Sequence, residues 1–428
     1  MFIQLHALTS YPSSLLNRDD AGFAKQLPFG GATRTRVSSQ CLKYHWRNFD
    51  GENALYDMDV PKSLRSRETF ERRVAKPLIS DGYAKPLVYA GTAAIKALLL
   101  GESSHLDSSA YLKKSSFTDF VTAGFEEDPE VLRSEQVTIF GAPEMRYVRN
   151  LIRDELDSLN EEHSETIQDG EMLDEVEDDI YSQLREYFKS SSDIGKNLKG
   201  LELASGLDAA MFGRMATSDV LARGDAAVHV AHAFTTHAQE SESDYFSAVD
   251  ELRRDEPEES GELGAGHINT QELTSGLFYS YVVVDVPLLV SNLSGVEQEE
   301  WTDGNTDLAA EVMERFAQLM ATVSPGAKLG STAPYSYAQC LFAEAGTAQP
   351  RTLANAFQTP APTQNVLENS YEKLGRYVDE IDQMYGVQTD RRLAAMGPTD
   401  GLTDRLKVDN TTTVPALAEW TANQIQTA

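Results

Sequence analysis

Strand-like composition opens this chain at FIQLHAL (2–8) and TRTRVS (33–38), then lapses until HVAHAFTTH (229–237) and SGLFYSYVVVDVPLLV (275–290). That interval constrains the fold more than any other feature. Paired strands lie about 5 Å apart however distant they are in sequence, so a sheet built from these segments must carry the intervening chain as an insertion. The interval is mainly helical. GTAAIKALLLG, EMRYVRNLIRDELDSL and MLDEVEDDIYSQLREYF place apolar residues at helical spacing, with an acidic bridge at 160–179. A second interruption, 238–271, is polar and rich in Gly and Glu, as expected of a projecting excursion. TDLAAEVMERFAQLMATVSPGAK (306–328) then reads as an amphipathic helix ending in Pro-Gly. Short strands, the Pro/Thr-rich connection QTPAPTQN and further helices follow. This order predicts an α+β fold, a split β-α-β-β-α-β core with two large insertions, although order alone also admits other α+β folds.

The charge is unevenly placed. The net charge over 428 residues is −30, which argues at first against a nucleic-acid partner. Residues 1–100 nevertheless hold 14 Lys/Arg against 9 Asp/Glu, and the remaining 328 hold 23 against 58. Phosphate responds to the field within about a Debye length, roughly 8 Å at physiological salt, so a basic surface on an acidic body is workable. General acidity of the source's proteins would account for the imbalance equally well. Two cysteines, Cys41 and Cys340, imply no disulfide framework. No apolar run reaches a membrane span and the first residues lack a basic signal region, so a cytoplasmic protein is expected.

Within the basic portion, FGGATRTRVSSQCLKYHWR (29–47) joins two glycines, two serines and five basic side chains, His45 included. Gly30 and Gly31 permit close backbone approach. Period-two alternation puts Arg34, Arg36 and Ser38 on one strand face, with two bidentate phosphate donors among them. SSQCLKYHWRNF reads as a helix capped by Ser38 or Ser39, whose first turn with Gln40 offers N–H groups to an anion. Lys43 and Arg47, four apart, extend the line, and Arg18 and Lys25 lie in the preceding loop. Such a spread suits a polyanion. A solvated basic strand and helix pairing with acidic neighbours fits the same spacing.

Other patterns carry less. His229, His232 and His237 lack the glutamate of a zinc-protease motif, so no metal is expected there. GELGAG (261–266) lacks the Lys-Ser/Thr of a P-loop, and neither a Gly-x-Ser-x-Gly elbow nor a catalytic cysteine stands out. Nothing requires an enzyme. Met215 in FGRMATS and Phe246 in YFSAVDEL are side chains of the type that wedges between bases, although their pattern alone reads as core.

SLLNRDD, FGG, TRVSSQCLK, GRMATSDVL, AHAFTTH, YFSAVDEL, TQELTSGLFYSY, VSPGAK and LANAF occur in that order. Together they resemble the backbone subunit of the type I-E CRISPR surveillance complex Cascade, the CasC family. The resemblance implies an RRM-like (ferredoxin-like) palm at 1–58, 201–237 and 273–428, helical fingers at 59–200, and a β-hairpin thumb at 238–272. It implies a non-catalytic subunit with no cofactor beyond bound CRISPR RNA. Copies would stack head-to-tail along the guide and present it to target DNA. The expected partners are the subunits that cap the guide's 5′ end, process it and complete the complex. By motif, Arg18, Lys25, Ser38, Gln40, Lys43 and Arg47 would touch the guide backbone, while Met215 and Phe246 would serve where the RNA kinks. The chain departs from the family in Ala32, Thr33, Tyr44 and His45, and in the acidic 160–179 segment. Two alternatives stand beside this reading. One is a type III-like subunit cutting target RNA with metal through Asp244 or Asp250. The other is a structural assembly protein without RNA.

Overall fold

The computed structural model describes residues 1–100, 132–162, 167–168, 171–172, 184, 187, 194–199, 205–214, 224–249, 265–386 and 389–428. The chain divides into two compact units. The first comprises Met1–Met58, Val228–Val286 and Thr306–Ala428, and the second comprises Asp59–Ala227 and Pro287–Asn305. Residues 205–214, 224–227 and 287–305 therefore group with the insertion, where the family resemblance assigned them to the palm.

The first unit is built on an antiparallel sheet. Its strands are β1 (Phe2–Ser14), β2 (Gln26–Phe29) and β3 (Ala32–Val37) from the start of the chain. In the second unit lie β4 (Ser63–Ser66), β5 (Thr138–Gly141), β6 (Ile167–Gln168) and β7 (Glu171–Met172). The sheet of the first unit continues with β8 (Val228–Val230), β9 (Ala233–Thr235), β10 (Glu240–Val249), β11 (Ala265–Asp285), β12 (Cys340–Gly346) and β13 (Asp390–Ala395). The strand order is β13-β12-β1-β11-β9-β3-β2, with β8 and β10 also paired to β11.

β1 runs beyond FIQLHAL. Its pairing with β11 is regular from Phe2↔Asp285 to Tyr11↔Gly276, is interrupted, and resumes at Ser14↔Thr274. Pro12, without an N–H to give the ladder, falls at that irregularity, and Ser13 takes φ 37. Ile3, Leu5 and Ala7 are buried, and so are Gln4, His6 and Leu8 between them, so β1 is covered on both faces. β11 is long because it serves twice. Residues 276–285 lie in the sheet beside β1, and 265–275 pair with β10 as a hairpin. The strand stops at Asp285, and VPLLV, read from composition as strand, is the start of a helix (Val286–Ser294). Pro287 favours that outcome, since a first helical turn does not use its missing N–H.

The helices, in chain order, are α1 (Ser39–Arg47), α2 (Lys76–Ser80), α3 (Lys85–Leu100), α4 (Ala142–Glu162), α5 (Ile194–Lys199), α6 (Leu207–Phe212), α7 (Val286–Ser294), α8 (Thr306–Thr322), α9 (Leu329–Thr332), α10 (Val366–Tyr385), α11 (Asp400–Leu406) and α12 (Val414–Gln426). α8 is the amphipathic helix expected from its pattern, with Ala309, Val312, Met313, Phe316, Ala317 and Met320 buried. It packs on α12, β1 and α1, where Trp46 meets Phe316 edge-on at 5.3 Å. A second cluster gathers Leu8, Tyr279, Phe342, Leu353, Phe357 and Leu393 with Tyr371, Leu374 and Val378 of α10.

A buried polar network crosses the central strands. The Tyr279 hydroxyl accepts from the Leu353 N–H (3.0 Å) and lies 2.9 Å from His6 Nδ1. His6 Nε2 lies 3.5 Å from Glu344 Oε2. Glu344 Oε1 accepts from Arg351 Nη2 (2.9 Å) and Arg391 Nε (3.0 Å), and Arg391 also grips Asp382 (2.7 Å). Burial alone would raise the Glu344 carboxyl, but His6, Arg351 and Arg391 hold it down to about 2.

The second unit has its own core. Phe70, Val74 and Leu78 meet Val88, Ile95 and Leu99 of α3 and Val148, Ile152 and Leu156 of α4. Arg214 and Glu144 form a buried ion pair at 2.7 Å there. Among the described residues, no helix is long and apolar enough to cross a membrane.

Candidate nucleic-acid interface

The basic stretch is shaped by a tight turn and a cap. Phe29 pairs with Ala32, so Gly30 and Gly31 alone connect β2 to β3, at φ 62 and 78. Positive φ at both central residues is the hairpin geometry that matches strand twist and favours glycine. Gly30 also approaches its own chain closely, because a Cβ there would lie 1.5 Å from the Gln358 carbonyl oxygen. The close approach read from the sequence thus serves internal packing.

β3 then separates its two arginines. Arg34 is fully buried: Nε donates to Phe29 O (3.3 Å), Nη1 to Thr235 O (2.9 Å) and Nη2 to Phe357 O (2.8 Å). Its guanidinium also lies over the Phe29 ring, 5.7 Å from the centroid. The expectation that Arg34 offers itself to phosphate is corrected, since its donors are engaged inside the protein. Arg36 is half-buried, and its Nη1 donates to His232 Nδ1 at 3.0 Å. Burial lowers the His232 pKa, and the nearby Arg36 and Lys25 charges add to the effect.

Ser38 is the N-cap of α1. Its Oγ accepts from Cys41 N–H (3.3 Å) while its own N–H donates to Asn17 Oδ1 (3.0 Å). The hydroxyl oxygen is thus engaged in a buried cap, which corrects the view of Ser38 as an open contact. Gln40, Lys43 and Arg47 follow at the spacing of one helix face, opposite buried Leu42 and Trp46. Gln40 is exposed, and Lys43 and Arg47 are half-buried.

The preceding loop is fastened to this unit. Lys25 N donates to Asn17 O (2.8 Å) and Arg36 N to Lys25 O (2.7 Å), while Arg18 forms a bridge with Ala24. The Ala24 N–H donates to Glu272 Oε2 (2.7 Å), which ties the loop to the base of the β10–β11 hairpin. Arg18 is exposed and Lys25 half-buried.

Lys328 joins this region. Its Nζ donates to Gln271 Oε1 (2.8 Å), and its backbone takes the left-handed conformation at φ 57. The neighbouring Ala327 N–H donates to Leu15 O (2.9 Å), and the Gly326 N–H donates to His45 Nε2 (3.3 Å). Sequence reasoning gave Lys328 no role, although the Pro-Gly before it signalled a sharp turn after α8.

Phe246 stands on β10 opposite Asn269, and Asp244 opposite Gln271. Met215, Asp250 and most of 160–179 lie outside the described residues. Of the three histidines, His237 is committed to backbone. Its Nε2 accepts from Leu277 N–H (3.2 Å), so Nδ1 donates to Ala238 O (2.7 Å). Among the described residues no group of three His, Cys, Asp or Glu is placed to hold a metal ion.

Arg18, Lys25, Arg36, Gln40, Lys43, Arg47 and Lys328 therefore belong to one connected set of elements: the 15–25 loop, β3, α1, the turn after α8 and the hairpin base. The set offers guanidinium, ammonium and amide donors, the chemistry that follows a phosphodiester backbone without reading bases.

No curated protein sequence matches the chain significantly. Among solved structures, it matches a chain from a CRISPR RNA-guided surveillance complex in a pre-nicking state, with TM-score 0.67 and 24% identity, over 99% of this chain and 100% of that one. A chain from another CRISPR RNA-guided surveillance complex matches with TM-score 0.60 and 19% identity, over 99% of both. These likenesses show a shared fold. The family model described as CT1975-like protein matches residues 3–420. The chain belongs to the CT1975-like protein family.

Proposed function

We propose that this protein is a non-catalytic subunit of a type I-E CRISPR surveillance complex in the cytoplasm, where copies assemble head-to-tail along one guide RNA. The observation that carries the reading is the connected basic set around α1, which draws on four separate parts of the sequence. Two further features support it. The path β1, α1, β8/β9, β11, α8, β12, with spatial order β12-β1-β11-β8/β9, has the connectivity of an RRM-like palm. The β10–β11 hairpin suits a thumb, and the helical unit suits fingers.

In this reading the guide's phosphates follow Arg18, Lys25, Arg36, Gln40, Lys43, Arg47 and Lys328, Phe246 and Met215 act where the strand kinks, and base pairing with target DNA supplies specificity. The guide is the bound group, and no metal or other cofactor takes part. Other subunits cap the guide and complete the complex.

The test is RNA content after co-expression with a CRISPR array and its processing subunit. One processed guide, protected from nuclease at even intervals, is the expected result. A folded, oligomeric protein without RNA would overturn the proposal, and metal-dependent cuts in complementary RNA would replace it with the cleaving alternative.

A further inference from the structure

Charge by itself is a weak grip for the basic set around α1. Residues 1–58, which supply every member of the set except Lys328, hold six Lys/Arg against five Asp/Glu. Arg34 is committed to buried carbonyls, so five cations face five carboxylates. The larger excess, eight against four over residues 59–100, belongs to the inserted unit, where Arg72 pairs with Glu68 (2.6 Å) and Lys76 with Glu71 (2.7 Å). A polyanion held at α1 therefore needs a contribution that is not ionic.

Two exposed aromatic rings stand inside the set. Tyr44 is 57% exposed on α1, with Gln40 one turn before it, Arg47 one turn after and Lys43 beside it. The His45 ring meets it edge-on, with centroids 5.4 Å apart and planes at 90°. His45 is itself anchored, since its Nε2 accepts from the Gly326 N–H (3.3 Å) in the turn that leads to Lys328. Burial lowers the His45 pKa, which keeps that nitrogen an acceptor. Tyr44 and His45 are two of the positions at which the chain departs from the family it resembles, so the pair is a feature of this sequence.

Phe23 is 56% exposed in the 15–25 loop, two residues before Lys25. The loop is closed around it. The Phe23 N–H donates to Asp19 Oδ1 (2.9 Å), while the Asp19 N–H donates to Phe23 O (2.8 Å). Gly22 supplies the turn at φ 92, and the Ala24 N–H that follows is taken by Glu272. Scattered exposed apolar side chains are ordinary. These two are set apart because each stands on a segment whose backbone is pinned, and each lies within three residues of a cation of the set.

We propose that Tyr44 and Phe23 are base-stacking platforms, each taking one unpaired base of an RNA strand whose phosphates run along the basic set. The inference rests on the guide-RNA reading above and adds the contact that selects a single strand. Surfaces that hold single strands combine cations for the backbone with aromatic rings for the bases, and the stacking tolerates any sequence because every base has a π-face. In a duplex those faces are already covered by neighbouring bases, so the rings discriminate against a paired strand. The non-ionic contribution that the charge balance calls for thus comes from the two rings.

The test uses the full chain and two labelled RNA probes of the same length, an unstructured single strand and an abasic strand that keeps the phosphates and lacks the bases. Phe23→Ala/Tyr44→Ala is expected to bind the intact strand about tenfold more weakly or worse. Its log–log salt slope should not change, because no phosphate loses its cation. Its binding to the abasic strand should match that of the wild type, and Tyr44→Phe should bind both probes normally. Lys43→Glu/Arg47→Glu should instead weaken both probes and flatten both slopes. Full binding by that variant would remove the guide-RNA reading, whereas the aromatic variants test the stacking alone. Wild-type affinity for the intact strand in a folded Phe23→Ala/Tyr44→Ala would overturn the proposal. Equal weakening on both probes would place the rings against sugar or phosphate, and loss of association between copies at unchanged RNA affinity would place them in a protein contact; either result also overturns it. If the double variant does not fold, Tyr44→Ala alone, at a largely exposed position, carries the same test.

Discussion

The two basic regions hold their charge in different ways. In the first unit, cations are anchored to the interior. Arg34 is spent on three carbonyls, Arg36 leans on His232, and the set around α1 is assembled by hydrogen bonds between segments far apart in sequence. In the inserted unit, a single helical segment and the segment bearing Arg133 suffice, and the carboxylates of Glu68 and Glu71 do the holding. A dense run of Lys and Arg therefore says little about which side chains meet solvent. The region with the smaller excess contains the candidate interface assembled over long range, and the region with the larger excess forms a local patch.

This difference can be broken most sharply at Arg34. Arg34→Ala leaves two buried carbonyls and one partly buried carbonyl without their donor and should cost roughly 1–3 kcal/mol for each buried acceptor left unsatisfied, read in urea denaturation. Arg34→Lys should recover little, because one ammonium cannot span the three acceptors. A loss below about 1 kcal/mol would mean the interior anchoring is not what holds the strand.

Acid tests the same anchoring. Glu344 ionises in the folded protein down to about 2, below its ordinary 4.5, so its stabilisation is complete above pH 4.5 and is lost as pH falls towards 2. Burial lowers the His6 pKa, which penalises the folded state further once pH drops below 6.5. Together they predict an unfolding midpoint in urea that falls steadily below about pH 6. Glu344→Gln should flatten the lower part of that profile while destabilising the protein at neutral pH. An unchanged profile in that variant would assign the acid sensitivity elsewhere.

A smaller effect on stability, though large on binding, is expected on the exposed side of α1. Lys43→Glu/Arg47→Glu should keep the fold and reduce retained RNA, with the salt slope shallower by roughly 0.7 for each phosphate that sheds its cation. Full RNA content would remove α1 from the interface. The smallest effect belongs to the inserted unit. Lys76→Gln breaks an ion pair whose ammonium is mostly exposed and should change stability by no more than about 1 kcal/mol. A thermal melt showing a larger loss would make the pair structural and erase the contrast with Arg34.

Local chemistry determined a good deal by itself. The Ser38 cap, the amphipathic α8 and the helical character of the described parts of the insertion each rest on neighbouring residues, so the sequence displays them. VPLLV misled because apolar composition without a clear period fits strand and helix alike, and only the end of the β1–β11 ladder at Asp285 decides it.

The tertiary structure alone decided which cations are available. Arg34 and Arg36 stand two residues apart in β3, yet one is sealed by Phe357 and Thr235 and the other is not. Lys328 joins the basic set only because Ala327 bonds to Leu15 and Gln271 lies within reach. The physical reason is the same in each case. Secondary structure follows from interactions within a few residues, whereas burial of a side chain is set by whatever distant segment packs over it, and spacing along the chain does not record that.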